Sequence, residues 1–151
     1  MSTEYSFNDP SALSSHILKG GEYALTTRSV NVSVRPVYLD DQSSPADDHY
    51  VWAYHVTIEN RGHERFQILA RTWHIIDMKG VFQEVHGAGL VGQMPHLNSG
   101  DIFEYTSGAS LRAPSGLMSG LYHASTHKGE SFDIDIPAFS LDSPYQTIVM
   151  N

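Results

Sequence analysis

The chain contains no cysteine, few basic residues and no long run of apolar residues. Without cysteine there can be no disulfide framework, zinc ribbon, iron–sulfur cluster or thiol nucleophile, and nothing in the composition indicates an oxidising compartment. No stretch approaches the roughly 18 apolar residues of a membrane-spanning helix, so we expect no membrane span. The first residues lack a basic segment followed by an apolar core, which favours a cytoplasmic location over export.

The charge balance argues against nucleic acid as a partner. The 151 residues include 17 acidic and 9 basic side chains, which gives a formal charge of −8 with neutral histidines. Affinity for polyphosphate comes mainly from lysine and arginine, and here those residues are scattered along the chain. We therefore expect an acidic, single-domain globular protein that does not bind nucleic acid.

Alternation of apolar and polar residues predicts strands over most of the chain from Ser29 onward. The clearest is YVWAYHVTIE, in which Trp52 and Tyr54 share one face with the next two alternate residues. Roughly seven short strands without a strong amphipathic helix predict an all-β fold, either an antiparallel β-sandwich or a small barrel. The core is expected around four aromatic side chains, Trp52, Tyr54, Trp73 and Phe132.

Several local features refine this prediction. Pro36 cannot donate to a strand ladder, so its strand should lie at a sheet edge there, or bulge. The alternation slips near Ala70, which predicts a bulge or a position buried on both faces. ASLRAPSG is interpreted as a loop and MPHLNSG as a turn, while PSALSSHILKGG is interpreted as a short helix in a loosely attached extension.

The glycine-rich loop at residues 87–92, GAGLVG, matches the G-x-G-x-x-G string of dinucleotide-binding folds. In those folds the string joins a strand to a helix whose N-terminal amides hold a pyrophosphate. Pro95 follows too soon for such a helix, which leaves two interpretations. Gly87, Gly89 and Gly92 either turn backbone amides inward as an anion-binding nest or permit a tight corner of a sheet.

Arg71 lies within an otherwise apolar strand, where a guanidinium must be paired or reach solvent. It forms a structural ion pair with Glu84, Asp101 or Glu104, extends its aliphatic stem so that the guanidinium reaches solvent, or binds an anion beside the glycine loop. Anion binding requires Arg71 and the loop to be adjacent in the fold.

The nine histidines suggest a metal site, but their spacing does not support one. His55 and His74 lie on different strands and could meet across a sheet, whereas His123 and His127 span a strand end and a turn. No H-E-x-x-H or H-x-H string occurs. We therefore expect ordinary surface or half-buried histidines and no metal ligands.

Acidic and nucleophilic residues also lack a catalytic pattern. Asp133 and Asp135 share one strand face, where they either bind a hydrated hard cation such as Mg²⁺ or form a solvated face. There is no G-x-S-x-G string, and no evident base accompanies Ser107. We expect a chain that is not an enzyme and needs no cofactor.

Seven motifs follow one another from Ser29 to Pro144. They are VYLDDQSSP, YVWAYHVTIEN, the L-x-R-x-W of residues 69–73, EVHGAGLVG, FEYTSG, PSGLMSGLY and FDIDIPAFSL. In this order and spacing they resemble the bacterial ApaG family, also called DUF525. The resemblance divides the chain into a flexible N-terminal extension (1–28), an ApaG domain (29–144) and a C-terminal tail (145–151).

The resemblance implies an immunoglobulin-like or fibronectin type III-like β-sandwich. It also implies an association with cobalt and magnesium resistance or efflux and, through gene neighbourhood, with dinucleoside polyphosphate metabolism. A similar domain in eukaryotic F-box proteins and in a polymerase-interacting protein looks like a protein-binding module. The G-x-G-x-x-G of the family, interpreted there as a pyrophosphate-binding loop, maps onto Gly87, Gly89 and Gly92.

The sequence departs from the family pattern near this loop. Met94 stands where the family usually has glutamine, and Ser99-Gly100 replaces the usual P-G turn. We expect a non-enzymatic module that binds a protein partner. The alternative is a binder of phosphate-containing small molecules through Arg71 and the three glycines. An exposed apolar patch on one sheet would favour the first function.

Overall fold

The computed structural model describes residues 4–6 and 21–145, and the short helix expected in PSALSSHILKGG falls outside them except for its last glycine. No helix of the described residues is long and apolar enough to cross a membrane. These residues form ten strands. In chain order they are β1 (Glu4–Ser6), β2 (Tyr23–Thr27), β3 (Val30–Tyr38), β4 (Tyr50–Asn60), β5 (Phe66–Asp77), β6 (Phe82–Ala88), β7 (His96–Leu97), β8 (Ile102–Leu111), β9 (Gly116–Thr126) and β10 (Ser131–Leu141).

The strands form two antiparallel sheets. The first has the order β1-β8-β4-β3-β2, and the second has the order β10-β9-β5-β6, with β7 pairing to the start of β5. Two 3-10 turns, Asp40–Gln42 and Pro45–Asp47, lie in the connection between β3 and β4. Because the strands are divided between two packed sheets, the fold is the expected β-sandwich and not a barrel.

Aromatic side chains from both sheets meet at the centre of the sandwich. Tyr54 of β4 packs edge-on against Trp73 of β5 at 5.3 Å between ring centroids, and Phe139 of β10 lies within 5.9 Å of both rings. All three side chains are fully buried. The hydroxyls of Tyr105 and Tyr122 form a hydrogen bond between β8 and β9, which adds a second link between the sheets. Of the predicted core residues, only Phe132 is merely half-buried.

Two predicted irregularities are confirmed. The pairing of β2 with β3 ends at Val34, so β3 forms the sheet edge where Pro36 needs no partner. The register between β5 and β9 shifts between Ile68 and Ala70, which is the expected bulge.

Four strand assignments differ from the sequence prediction. Glu4–Ser6 forms β1 and Tyr23–Thr27 forms β2, although no strand was expected before Ser29. The β2–β3 turn holds Arg28 and Ser29 at φ 51° and 64°, a conformation usually marked by glycine or asparagine, so the sequence lacks a turn signal there. The expected loop ASLRAPSG continues β8 to Leu111, and the expected turn MPHLNSG contains β7. The domain bounds of 29 and 144 stay a prediction.

We predict that Phe139→Ala destabilises the protein by about 3–5 kcal/mol, because it removes a ring from the contact between the two sheets. The matched control is Phe82→Ala, at a ring that is 60% exposed, for which we expect a change within about 0.5 kcal/mol. Urea unfolding measures both. Equal losses in the two variants would show that the central aromatic contact does not dominate stability.

Candidate functional site

The glycine loop is a corner of the second sheet. Gly87 and Ala88 are the last residues of β6, and Leu90 to Gln93 close a tight turn with Val91 at φ 48° and Gly92 at φ 81°. The amide of Gly89 donates to the carbonyl of Leu69, and the amides of Leu90 and Gln93 donate to each other's carbonyls. These three amides therefore bond within the protein and do not contribute to an anion nest.

Arg71 lies against this corner. Its Nη1 donates to the carbonyls of Ala88 and Gly89, each at 3.0 Å. A Cβ on Gly87 would lie 2.4 Å from the same nitrogen, so the glycine makes room for the guanidinium. The structure thus brings together Arg71, Gly87 and Gly89, while Gly92 lies in the turn beyond them.

The acidic residues proposed as partners of Arg71 bond to other groups. Glu84 accepts from His74, and Glu104 accepts from His55 and Thr57. Asp101 accepts from the backbone amide of Asn98.

The outer face of the second sheet carries a chain of hydrogen-bonded side chains that spans all four of its main strands. We call these residues the histidine network, in spatial order Asp133, His123, Thr72, His86, Glu84 and His74. Strand register creates the network, because Asp133 lies opposite His123, Thr72 opposite His86, and His74 opposite Glu84.

The hydrogen bonds assign a direction to part of this network. Asp133 accepts from His123 Nδ1 at 2.8 Å, which leaves the Nε2 of a neutral imidazole to accept the Thr72 hydroxyl proton, also at 2.8 Å. The Thr72 oxygen then accepts from His86 Nδ1 at 3.0 Å. A carboxylate, a histidine and a hydroxyl in this order resemble a nucleophile with its base. However, Thr72 is 6% exposed on a sheet face, and imidazoles bond it on two sides.

Glu84 lies between the imidazoles of His74 and His86. Its Oε1 lies 3.0 Å from His74 Nε2 and 3.4 Å from His86 Nε2. The hydrogen bond from His74, with the charge of His86 adding to it, lowers the pKa of Glu84 below its ordinary value.

An apolar strip continues the same face toward the β5–β6 turn. We define the apolar strip as three side chains between 44% and 60% exposed, Ile76, Phe82 and Leu117. Met78 and Val81 are exposed to a similar extent in the adjoining turn. Ile76 lies opposite Phe82 on one side and opposite Leu117 on the other, so three strands contribute to a continuous row. The ring of Phe82 stacks on His74 at 5.8 Å, which joins the strip to the histidine network.

Neither of these features was predicted from the sequence. The strip had a readable signal, because adjacent apolar residues in a strand, such as Ile75-Ile76 and Leu117-Met118, must place one side chain on the outer face. The network had none, since it depends on which strands are neighbours and in what register.

The other histidine and aspartate predictions have mixed outcomes. His55 and His74 do not meet across a sheet, because β4 and β5 belong to different sheets. Asp133 bonds to His123, whereas Asp135 bonds to Thr27 of the neighbouring sheet. Within the described residues, no group of three or more histidine, aspartate or glutamate side chains is placed to hold a metal ion.

A pocket of about 320 Å³ lies at one end of the sandwich, away from the glycine loop. Its wall includes Trp52, Ser140, Asp142 and Ser143. Trp52 Nε1 donates to the backbone carbonyl of Asp142, and the Ser140 hydroxyl donates to the Asp142 carboxylate. Ser143 donates to the carbonyl of Pro114. The side chains of Trp52, Ser140 and Ser143 donate to Asp142 or to a backbone carbonyl, and they form no catalytic arrangement.

We predict that His74→Ala raises the pKa of Glu84 toward the ordinary glutamate value, because the main group that favours its ionised form is lost. The lowered pKa stabilises the fold above the unfolded glutamate pKa of about 4.3, and this contribution is lost as pH falls through the folded pKa. NMR titration of the Glu84 carboxyl measures the shift, with His63→Ala as a control at an exposed histidine. An unchanged midpoint in His74→Ala would contradict the assignment.

Comparison with known proteins identifies the family of the chain. The model of the ApaG domain, DUF525, matches residues 40–126. Protein ApaG of Parvibaculum lavamentivorans is 57% identical over 82% of this chain and 95% of that protein, and Protein ApaG of Paramagnetospirillum magneticum is 54% identical over 85% and 99%. A crystal structure of a Bordetella pertussis protein given the name ApaA is 44% identical, with a TM-score of 0.74 over 78% of this chain and 95% of that one. The chain therefore belongs to the ApaG (DUF525) family.

Proposed function

We propose that the chain is a non-enzymatic protein-binding module whose partner docks on the apolar strip. The observation that carries this proposal is the exposed row of Leu117, Ile76 and Phe82 across three strands of one sheet. Exposed apolar side chains on a soluble protein are usually scattered singly, and a contiguous row marks an interaction site.

The position of the strip suits a protein partner. Phe82 begins β6, and β6 is an edge strand of the second sheet in the part of the chain that the structure describes. A partner can therefore contact the face of the sheet and its open edge together. Burial of an exposed side chain the size of phenylalanine contributes about 1.5–3 kcal/mol, so a few such anchors suffice for specific binding.

The proposal also covers the wider role that the family resemblance implies. We infer that the chain affects cobalt or magnesium resistance indirectly, through the activity of the bound partner in the cytoplasm. The chain's own carboxylates and imidazoles support this indirect role, because Asp133, Glu84 and their neighbouring histidines bond to one another.

We predict that Phe82→Asp strongly reduces specific capture of partner proteins from a native bacterial lysate, because it places a charge in the apolar strip. The expected loss of affinity is about 2 kcal/mol, or roughly 30-fold. The matched control is Ile102→Asp on the first sheet, where the side chain is 57% exposed against 60% for Phe82. Quantitative mass spectrometry compares the captured proteins.

The proposal predicts that Ile102→Asp retains the partners of the wild-type chain and that Phe82→Asp captures much less of them. Circular dichroism and urea unfolding establish that both variants are folded. Equal capture by Phe82→Asp and the wild type, or an equal loss in both variants, would contradict docking on the strip.

The second candidate function is binding of a pyrophosphate-containing ligand at the glycine loop. The position of the Arg71 guanidinium beside Gly87 and Gly89 supports it. The hydrogen bonds of the loop amides to backbone carbonyls argue against phosphate binding. A phosphate would have to bind to the guanidinium and to the remaining amides of the turn. For this reason protein binding is the preferred function.

We predict that pyrophosphate at millimolar concentration produces no heat of binding in calorimetry, because Arg71 is already bonded to two loop carbonyls. Gly87→Ala serves as the comparison, since its Cβ displaces the guanidinium. A saturable heat in the wild-type chain that Gly87→Ala removes would establish the second candidate instead.

A further inference from the structure

We infer that the partner presents an extended acidic segment, in which apolar anchor residues are flanked by aspartate or glutamate. This inference rests on the proposed function, because it names the kind of partner that fits the apolar strip. Three observations carry it: the charges that border the strip, the engagement of the nearby carboxylates, and the open edge of β6.

The charges at the turn end of the strip are basic. Lys79 lies in the β5–β6 turn between Met78 and Val81, and its Nζ donates to the backbone carbonyl of Arg112 at 3.1 Å. Lys79 and Arg112 are both exposed, so two cations stand at the same corner. This corner contrasts with the whole chain, whose formal charge is −8.

The carboxylates beside this corner are engaged within the protein. Asp77 is 8% exposed, and its Oδ1 accepts from the backbone amides of Lys79 and Val81. Glu84 accepts from His74. On the far side of the strip, Asp142 accepts from the Ser140 hydroxyl. These carboxylates keep their negative charge, but Asp77 is buried, so the exposed charged side chains at the turn itself are Lys79 and Arg112. These two cations attract carboxylates.

Among residues 4–6 and 21–145, no strand pairs with the outer side of β6. This open edge favours an extended segment over a compact surface. Phe82, Glu84 and His86 alternate with half-buried residues along this strand, so its outward side chains lie in a line. A partner strand that pairs with β6 would place alternate side chains on the apolar strip. Its flanking aspartate or glutamate side chains would then lie near Lys79.

Two other occupants fit the charges less well. A second copy of this chain would bring two equal basic corners together and would oppose two net charges of −8. An anionic membrane would attract the basic corner, but as an extended surface it would also face the acidic remainder of the chain and be repelled by it. A short acidic segment contacts only the strip and the basic corner, and more distant charges are screened.

Selection from a display library of random twelve-residue peptides tests the inference. The immobilised wild-type chain should enrich peptides that combine aromatic or aliphatic anchors with aspartate or glutamate. The double variant Lys79→Glu with Arg112→Glu should bind these peptides about tenfold more weakly, because attraction becomes repulsion. Higher salt should weaken binding to the wild type as well.

The matched control is Arg65→Glu with Lys128→Glu. These residues form an equivalent exposed Arg and Lys pair at the opposite end of the second sheet, where the amide of His127 donates to the carbonyl of Arg65. The charge change is identical in the two double variants. We expect the control to retain wild-type affinity for the selected peptides.

The outcomes separate this inference from the proposed function. Peptides that require Phe82 but show no acidic excess, or that bind both double variants equally, would overturn the acidic partner and leave docking on the strip intact. Enrichment that Phe82→Asp does not affect would overturn the inference at this surface. Phe82-dependent dimerisation in sedimentation equilibrium, or Phe82-dependent binding to vesicles with anionic lipid, would identify one of the other occupants and overturn it too.

Discussion

The contact of Tyr54 in one sheet with Trp73 and Phe139 in the other holds the sandwich together in a chain that has no disulfide. The same contact determines the outer surface. Because neighbouring residues of a strand face opposite sides, the inward position of Trp73 places Thr72 and His74 on the outer face of β5. The candidate site therefore follows from the packing of the core.

The outer face of the second sheet has two halves with different chemistry. In one half, His123, Thr72 and His86 bond to one another, so that their polar groups are satisfied without a ligand. In the other half, Ile76 and Phe82 are exposed and contribute little to the core. A partner that covers the apolar half removes apolar surface from water without breaking the polar bonds beside it. On the proposed function, binding and folding would therefore depend on largely separate sets of side chains.

Features that depend on residues close in sequence could be predicted, whereas strand order and register could not. The alternation around Trp52 and the edge position of Pro36 were read correctly because each depends only on nearby residues. The loop at Gly89 was correctly separated from a helix for the same reason. The sequence could not show that β4 and β5 lie in different sheets, which separates His55 from His74, nor that Thr72 lies opposite His86. Strand phase is local information, whereas strand order and register are not.

The most direct test of docking on the second sheet is an NMR map of the amide shifts of the labelled chain when a captured partner is added. The predicted result is a contiguous set of shifts at Ile76, Phe82 and Leu117, with little change at His55 on the first sheet. Shifts confined to the first sheet, or to the glycine loop at residues 87–92, would contradict the proposed function.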